Sequence, residues 1–156
     1  MTSKVDKRDL LYDEEAVKFA IALYEKGKVP LEILYELIRM GRITAFSIVV
    51  VQAEIENLNR FIHNQKRKTD LLIEIDLQEK VCVLFCQETK VDGGYYFVKR
   101  LTPMLRERGA KSVKAAILGI ENTNFPLQDL IFIITDTYLK VRNSKNSIET
   151  LYRTLA

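Results

Sequence analysis

Arg67 and Asp70, side chains of opposite charge, stand three residues apart beside the one tight basic run of the chain, Lys66-Arg67-Lys68. A guanidinium fork can donate to the O6 and N7 edge of a guanine or grip a phosphate bidentately. A carboxylate beside it can accept from the N1–H and amino group of the same base. The same two residues also make sense as a plain solvated pair at a helix end, worth at most about 1 kcal/mol. The other chemically suggestive residues carry less. His63 is the single histidine and has no identifiable partner for catalysis or metal binding. Cys82 and Cys86 lie in a strand-like run; at about 3.3 Å per residue they are roughly 13 Å apart, too far for a disulfide. They read as buried apolar packing. Gly93-Gly94 lacks the lysine-bearing pattern of a phosphate loop, and a helix start capped by Asp92 explains it better. Tyr95 and Tyr96 flank that start, either stacking on a base or packing at the rim.

Elements of a folded domain must hold these groups. The chain has 156 residues, 47% hydrophobic and 29% charged, enough for one compact domain with a full core. A net charge of +3 is too mild to imply polymeric nucleic acid. The longest apolar runs, Ile48 to Val51 and Leu130 to Ile134, fall far short of a membrane span, which needs about 20 residues. The segment Met1 to Asp9 is polar, without a signal-peptide core. The expectation is a cytoplasmic location and no membrane insertion by this chain.

Apolar spacing at Val17, Ala20, Ile21 and Tyr24 predicts a helix from Asp13 to Lys26, stopped by Gly27. A second helix starts at Pro30, turns Leu31, Leu34 and Ile38 inward, and ends at Gly41. Ala45 to Ala53 is a buried central strand, followed by a helix from about Glu54 to Asn64 with Ile55, Leu58 and Ile62 as its stripe. Strands at Asp70 to Ile75 and Lys80 to Cys86 are joined by a hairpin turn around Asp76-Leu77-Gln78-Glu79. A helix from Asp92 to about Arg108, a strand from Val113 to Ile120 and a helix from Pro126 complete the pattern, and the segment after Asn143 reads as a polar tail. The series β-α-β-β-α-β-α implies an α+β, ferredoxin-like layout, with helices packed on one face of a mainly antiparallel sheet and two extra helices before it.

The stretch from Arg67 to Val81 resembles the heart of a GGDEF diguanylate cyclase domain. In that family an Arg-x-x-Asp inhibitory-site motif precedes the signature by five residues. Here Asp70 is followed by five residues and then by Asp76-Leu77-Gln78-Glu79-Lys80 in the signature's place. The Gln87-Glu88-Thr89 turn, the glycine-containing strand with Gly119 and the helix with Asp136 resemble later parts of the family, so the likeness runs from about Thr44 to Asn146. The fold implied is the nucleotidyl-cyclase palm. The departures are equally specific. Asp76 and Leu77 replace the glycines that let the backbone approach GTP phosphates, Gln78 replaces an acidic residue, and only Glu79 matches. The family's first metal-binding aspartate falls at or near Gln52, which supplies no carboxylate, and Glu54 to Lys66 is shorter than the stretch that holds part of the guanine pocket. Mg²⁺ in phosphoryl transfer is held mainly by carboxylates and substrate phosphates, so the resemblance implies a chain without cyclase activity, without a bound metal and without a cofactor.

What the resemblance retains is a ligand site for cyclic di-GMP at Arg67 and Asp70. A further arginine from the next helix falls on Arg100 if two extra residues are allowed between Lys80 and Thr89, with Lys99 as the alternative. The expectation is a non-catalytic receptor, similar to regulators of bacterial exopolysaccharide secretion, that signals to a protein effector or a second copy of the domain. The alternative is a nucleotide-independent interaction or dimerisation module whose working surface is the N-terminal helices. The expected divisions are a flexible N-terminus at 1–12, a helical segment at 13–43, the degenerate GGDEF-like domain at 44–146 and a tail at 147–156.

Overall fold

The strand Phe46–Ala53 (β1) is apolar on both faces, and every residue but Gln52 is buried. A strand of that kind needs cover on both sides, and the computed structural model, which describes residues 14–76 and 80–156, provides it. Helix α1 (Glu14–Arg39) leads into β1, followed by α2 (Leu58–Gln65), β2 (Leu71–Asp76), β3 (Val81–Gln87), α3 (Val91–Glu107), β4 (Val113–Ile120), α4 (Leu127–Arg142) and β5 (Ile148–Leu155). The strands form one sheet in the order β2-β3-β1-β4-β5. β1 runs antiparallel to β3 and β4, β2 antiparallel to β3, and β5 parallel to β4.

Alternation along the strands divides the core in two. Phe46, Ile48, Val50, Val83, Phe85 and Leu118 face α1 and α4, where Phe19 stacks on Tyr138 at 4.8 Å. Val49, Val51, Cys82, Leu84, Cys86 and Ile117 face α2 and α3. Helices therefore cover both faces, not one, because the strands have no polar face to leave in water.

The structure corrects three further expectations. The two N-terminal helices are one, of 26 residues, running through Gly27 and Pro30. Its buried stripe is Ala16, Phe19, Leu23, Gly27, Leu31 and Leu34, while Val17 and Ile21 face outward. Gly27 sits where a Cβ would come within 3.0 Å of the Phe85 ring. It serves close approach of helix to sheet rather than termination, and tertiary packing outweighs the local cost of Gly and Pro. The helix after β1 begins at Leu58 rather than Glu54, because Asn57 adopts a left-handed conformation with φ 57°. Most of the supposed C-terminal tail is β5, an eight-residue strand added to the sheet beyond β4. The expected flexible segment 1–12 lies outside the described residues.

Gly119 on β4 lets the start of α3 sit directly on the sheet. A Cβ there would fall 2.9 Å from the Val91 Cβ and 3.0 Å from its backbone nitrogen. Gly119→Ala should lower stability by about 1–3 kcal/mol, the usual cost of overpacking, read as a lower urea midpoint at unchanged m-value.

Candidate functional site

Arg67 and Asp70 occupy the short connection between α2 and β2. Their backbones close a turn, with the Asp70 N–H donating to the Arg67 carbonyl at 3.1 Å. The Arg67 N–H in turn donates to Asp70 Oδ2 at 3.0 Å. The side chains then meet as a fork: Arg67 Nη2 and Nε donate to Asp70 Oδ1 at 2.8 and 3.1 Å. The carboxylate is buried, whereas the Arg67 side chain is 53% exposed. Hydrogen bonding to Asp70 raises the Arg67 pKa above its ordinary value.

Arg67 also reaches across to the end of β3. Its Nη2 donates to the Gln87 carbonyl at 2.7 Å and to Thr89 Oγ1 at 2.6 Å. Ser47 on β1 holds the same turn by donating to the Thr89 carbonyl at 2.8 Å. Glu88, with φ 49°, swings its carboxylate back to accept from the Thr44 N–H at 3.0 Å and from the Thr44 hydroxyl. These bonds lower the Glu88 pKa. Sequence reasoning missed Thr44, Glu88 and Thr89 as members of the site; the only signal was an acidic and a hydroxyl residue in a turn after a buried strand.

Arg100, about two and a half turns into α3, lies over the Phe97 ring at 5.3 Å. Its Nη2 approaches the Gln65 carbonyl at the end of α2 at 3.4 Å. Arg67, Asp70 and Arg100 thus line one cavity of about 650 Å³, together with Tyr96 and the Gly93-Gly94 helix start. Tyr96 is 65% exposed there. Tyr95 turns away and meets Tyr152 of β5 at 5.8 Å. Lys99, the alternative to Arg100, is exposed on α3 and does not line the cavity.

The cavity is electrically mixed. Arg67, Lys90 and Arg100 face Asp70, Glu88 and Asp92. Each acid has a local partner: Asp70 holds Arg67, Glu88 holds Thr44, and Asp92 Oδ1 accepts from the Gly93 N–H at 2.9 Å. Lys90 is 3.8 Å from Glu121. Arg100 has a ring and a carbonyl for company and, among the described residues, no carboxylate within ion-pair distance, which leaves it placed for an incoming anion.

The hairpin is present. Asp76 ends β2 opposite Val81, and Lys80 precedes β3 with φ 56°. Leu77, Gln78 and Glu79 lie outside the described residues. Gln52, near the end of β1, stands between Val81 and Lys114 on the neighbouring strands. Among the described residues no group of three or more metal-binding side chains converges, and no helix is long and apolar enough to cross a membrane. His63 is exposed on α2.

No protein-family model and no curated protein matches the chain. Among solved structures, the crystal structure of the diguanylate cyclase SiaD in complex with its activator SiaC from Pseudomonas aeruginosa is similar, with a TM-score of 0.58 at 14% identity. The match covers 81% of this chain and 57% of that one, so the chain spans little more than half the cyclase's length. At that identity the likeness is one of fold alone: the sheet and helices are similar overall to those of that cyclase.

Cys86 also borders the cavity, yet burial pushes the thiols of both Cys86 and Cys82 up to about 12. A thiol raised that far carries almost no thiolate at pH 8, and the thiolate is the nucleophile. In Ellman assays of the native protein at pH 8, neither cysteine should react, and both should react after denaturation.

Proposed function

We propose that this protein is a non-catalytic receptor of cyclic di-GMP, built on a diguanylate-cyclase fold. One observation carries the reading. Arg67, Asp70 and Arg100, singled out from residue chemistry and family likeness, line a single cavity although they come from two separate parts of the chain. Tyr96 offers a ring on which a base can stack. In this reading Asp70 first of all holds the Arg67 fork, since its oxygens already accept from Nε, Nη2 and the backbone N–H of Arg67. A guanine then meets Nη1, the guanidinium nitrogen not engaged by these bonds or by Gln87 and Thr89, through its O6 or N7. Contact of Asp70 with the N1–H and amino edge requires the Arg67 fork to shift. Arg100 takes a phosphate.

The absence of synthesis is part of the proposal. Gln52 cannot supply a metal-binding carboxylate, and Asp76-Leu77-Gln78-Glu79-Lys80 carries an acidic and a bulky residue in place of the signature's two glycines. Regulation of a protein effector, as in bacterial exopolysaccharide control, is the corresponding output. The similar cyclase was solved in complex with an activator protein, which makes a protein partner a natural expectation for this fold as well.

A second reading, a nucleotide-independent interaction module, draws on the outward face of α1. Val17, Ile21, Val29 and Ile33 are 43%, 52%, 61% and 54% exposed there. Partner capture unchanged by nucleotide would favour it.

Calorimetric titration separates the two. Cyclic di-GMP should bind at micromolar concentration, and Arg67→Ala, Asp70→Ala and Arg100→Ala should each weaken it by about 1–3 kcal/mol, or roughly 5- to 150-fold. Ligand at about 100 times its dissociation constant should add about 2.7 kcal/mol of stability in a thermal melt. Incubation with GTP and Mg²⁺ should yield no cyclic product. Absence of binding at tens of micromolar, or affinity untouched by all three substitutions, removes the receptor reading.

A further inference from the structure

β5 ends the sheet order, and among the described residues no strand pairs with its outer edge. Its pairing with β4 is parallel and continuous from Ile148 to Leu155. In a parallel ladder alternate residues direct both backbone groups to the neighbour. The Ser147 and Leu155 carbonyls accept from the Val113 and Glu121 N–H groups, each at 2.9 Å, so the odd-numbered residues of this segment bond to β4. The N–H and C=O groups of Ile148, Thr150, Tyr152 and Thr154 consequently point outward. The strand contains no proline and its β4 register no bulge, so two of the devices that blunt an edge are missing, and its charges are the complementary Glu149 and Arg153.

The side chains make this edge complementary to itself. In an antiparallel pairing about a two-fold axis at Leu151, Ile148 lies opposite Thr154 of the second copy and Thr150 opposite Tyr152. All four have outward backbones, as hydrogen-bonded pairs require. The intervening positions set Glu149 opposite Arg153 of the second copy, twice by symmetry. These are non-hydrogen-bonded pairs, where Cα atoms approach to about 4.5 Å and side chains interact most closely. An axis at Thr150 or Tyr152 keeps the backbone parity but places Glu149 opposite a leucine, so the charges select one register.

Two features of the single chain fit that arrangement. One oxygen of Glu149 is sealed from solvent without a hydrogen-bond partner, a carboxylate poorly compensated at home. Arg153 binds Asp136 at 3.0 Å through Nη2 yet remains 39% exposed, able to bridge Asp136 and a second acid. Ile148 and Tyr152, 39% and 58% exposed, would also be covered.

We propose that β5 is a self-association edge, through which two copies of this chain join antiparallel about Leu151 to form one continuous sheet of ten strands, five from each copy. The edge shares no residue with the cavity around Arg67, so this association does not depend on the nucleotide reading. A strand-to-strand interface belongs to the small, reversible class, below roughly 1,200 Å².

Sedimentation velocity over a concentration series tests it. The wild-type chain should show a concentration-dependent monomer–dimer equilibrium. Glu149→Arg alone sets arginine against arginine, and Arg153→Glu alone sets glutamate against glutamate. Each should weaken association about tenfold or more, two cross-strand pairs changing sign. An equimolar mixture of the two variants restores both opposite pairs and should dimerise again. Thr150→Pro, which removes an outward N–H and leaves the β4 ladder intact, should abolish the dimer and serves where Arg153→Glu disturbs folding through Asp136. A wild-type chain monomeric up to near-millimolar concentration overturns the proposal. So do single variants that associate like wild type, or a mixture of folded variants that stays monomeric.

Discussion

The architecture depends on the central strand having no face it can show to water. Ile48, Val50 and Phe46 demand one helical layer, and Val49, Val51 and Ala53 demand another. α1 runs unbroken past a glycine and a proline to lie on β2 and against α4, with Gly27 against the Phe85 ring. The second layer, α2 and α3, is pressed onto the sheet by Gly94 and Gly119, whose missing side chains admit Ile117 and Val91. That pressure brings the end of α2, the end of β3 and the start of α3 to one corner. The cavity lies at that corner.

At that corner a buried carboxylate sets the rest. Burying Asp70 without a partner would be expensive, and Arg67 is recruited from three residues away by a turn that both backbones close. Once fixed, the guanidinium has donors left over for Gln87 and Thr89. The α2–β2 connection is thereby stitched to the turn that starts α3. The side chain ties two connections together, which is why a solvated ion pair is too small a description of it.

The sequence makes some of this readable and conceals the rest for identifiable reasons. Runs such as Ile48-Val49-Val50-Val51 announce buried strands because burial on both faces removes alternation. The convergence of Arg67, Asp70 and Arg100 is legible because a motif fixes the first two and a helix carries the third. The face of α1 is ambiguous: Val17, Ala20, Ile21 and Tyr24 keep helical spacing as well as Ala16, Phe19 and Leu23 do. The choice falls to the set that stacks on Tyr138 and Phe85, residues remote in sequence. Continuity of the buried phase from Leu23 through Gly27 to Leu31 was the clue that the helix does not stop. β5 is concealed because its partner β4 lies across a whole helix, and its half-buried side chains give no clean period. The Thr44–Glu88 contact spans 44 residues and leaves no local trace at all.

The pairing inside the site also shapes how a nucleotide would be gripped. A guanidinium already neutralised by a buried carboxylate exerts little net pull on a phosphate, but its remaining donors are held in a fixed plane. A donor group held in place in this way costs less to organise on binding than one on a mobile arginine does. Arg100, lying over Phe97 with no carboxylate in reach among the described residues, would be the group suited to a phosphate in the receptor reading proposed above. Two arginines of identical chemistry thus have different work assigned to them by their neighbours. In that reading, the division would suit a ligand carrying both a purine edge and a phosphodiester.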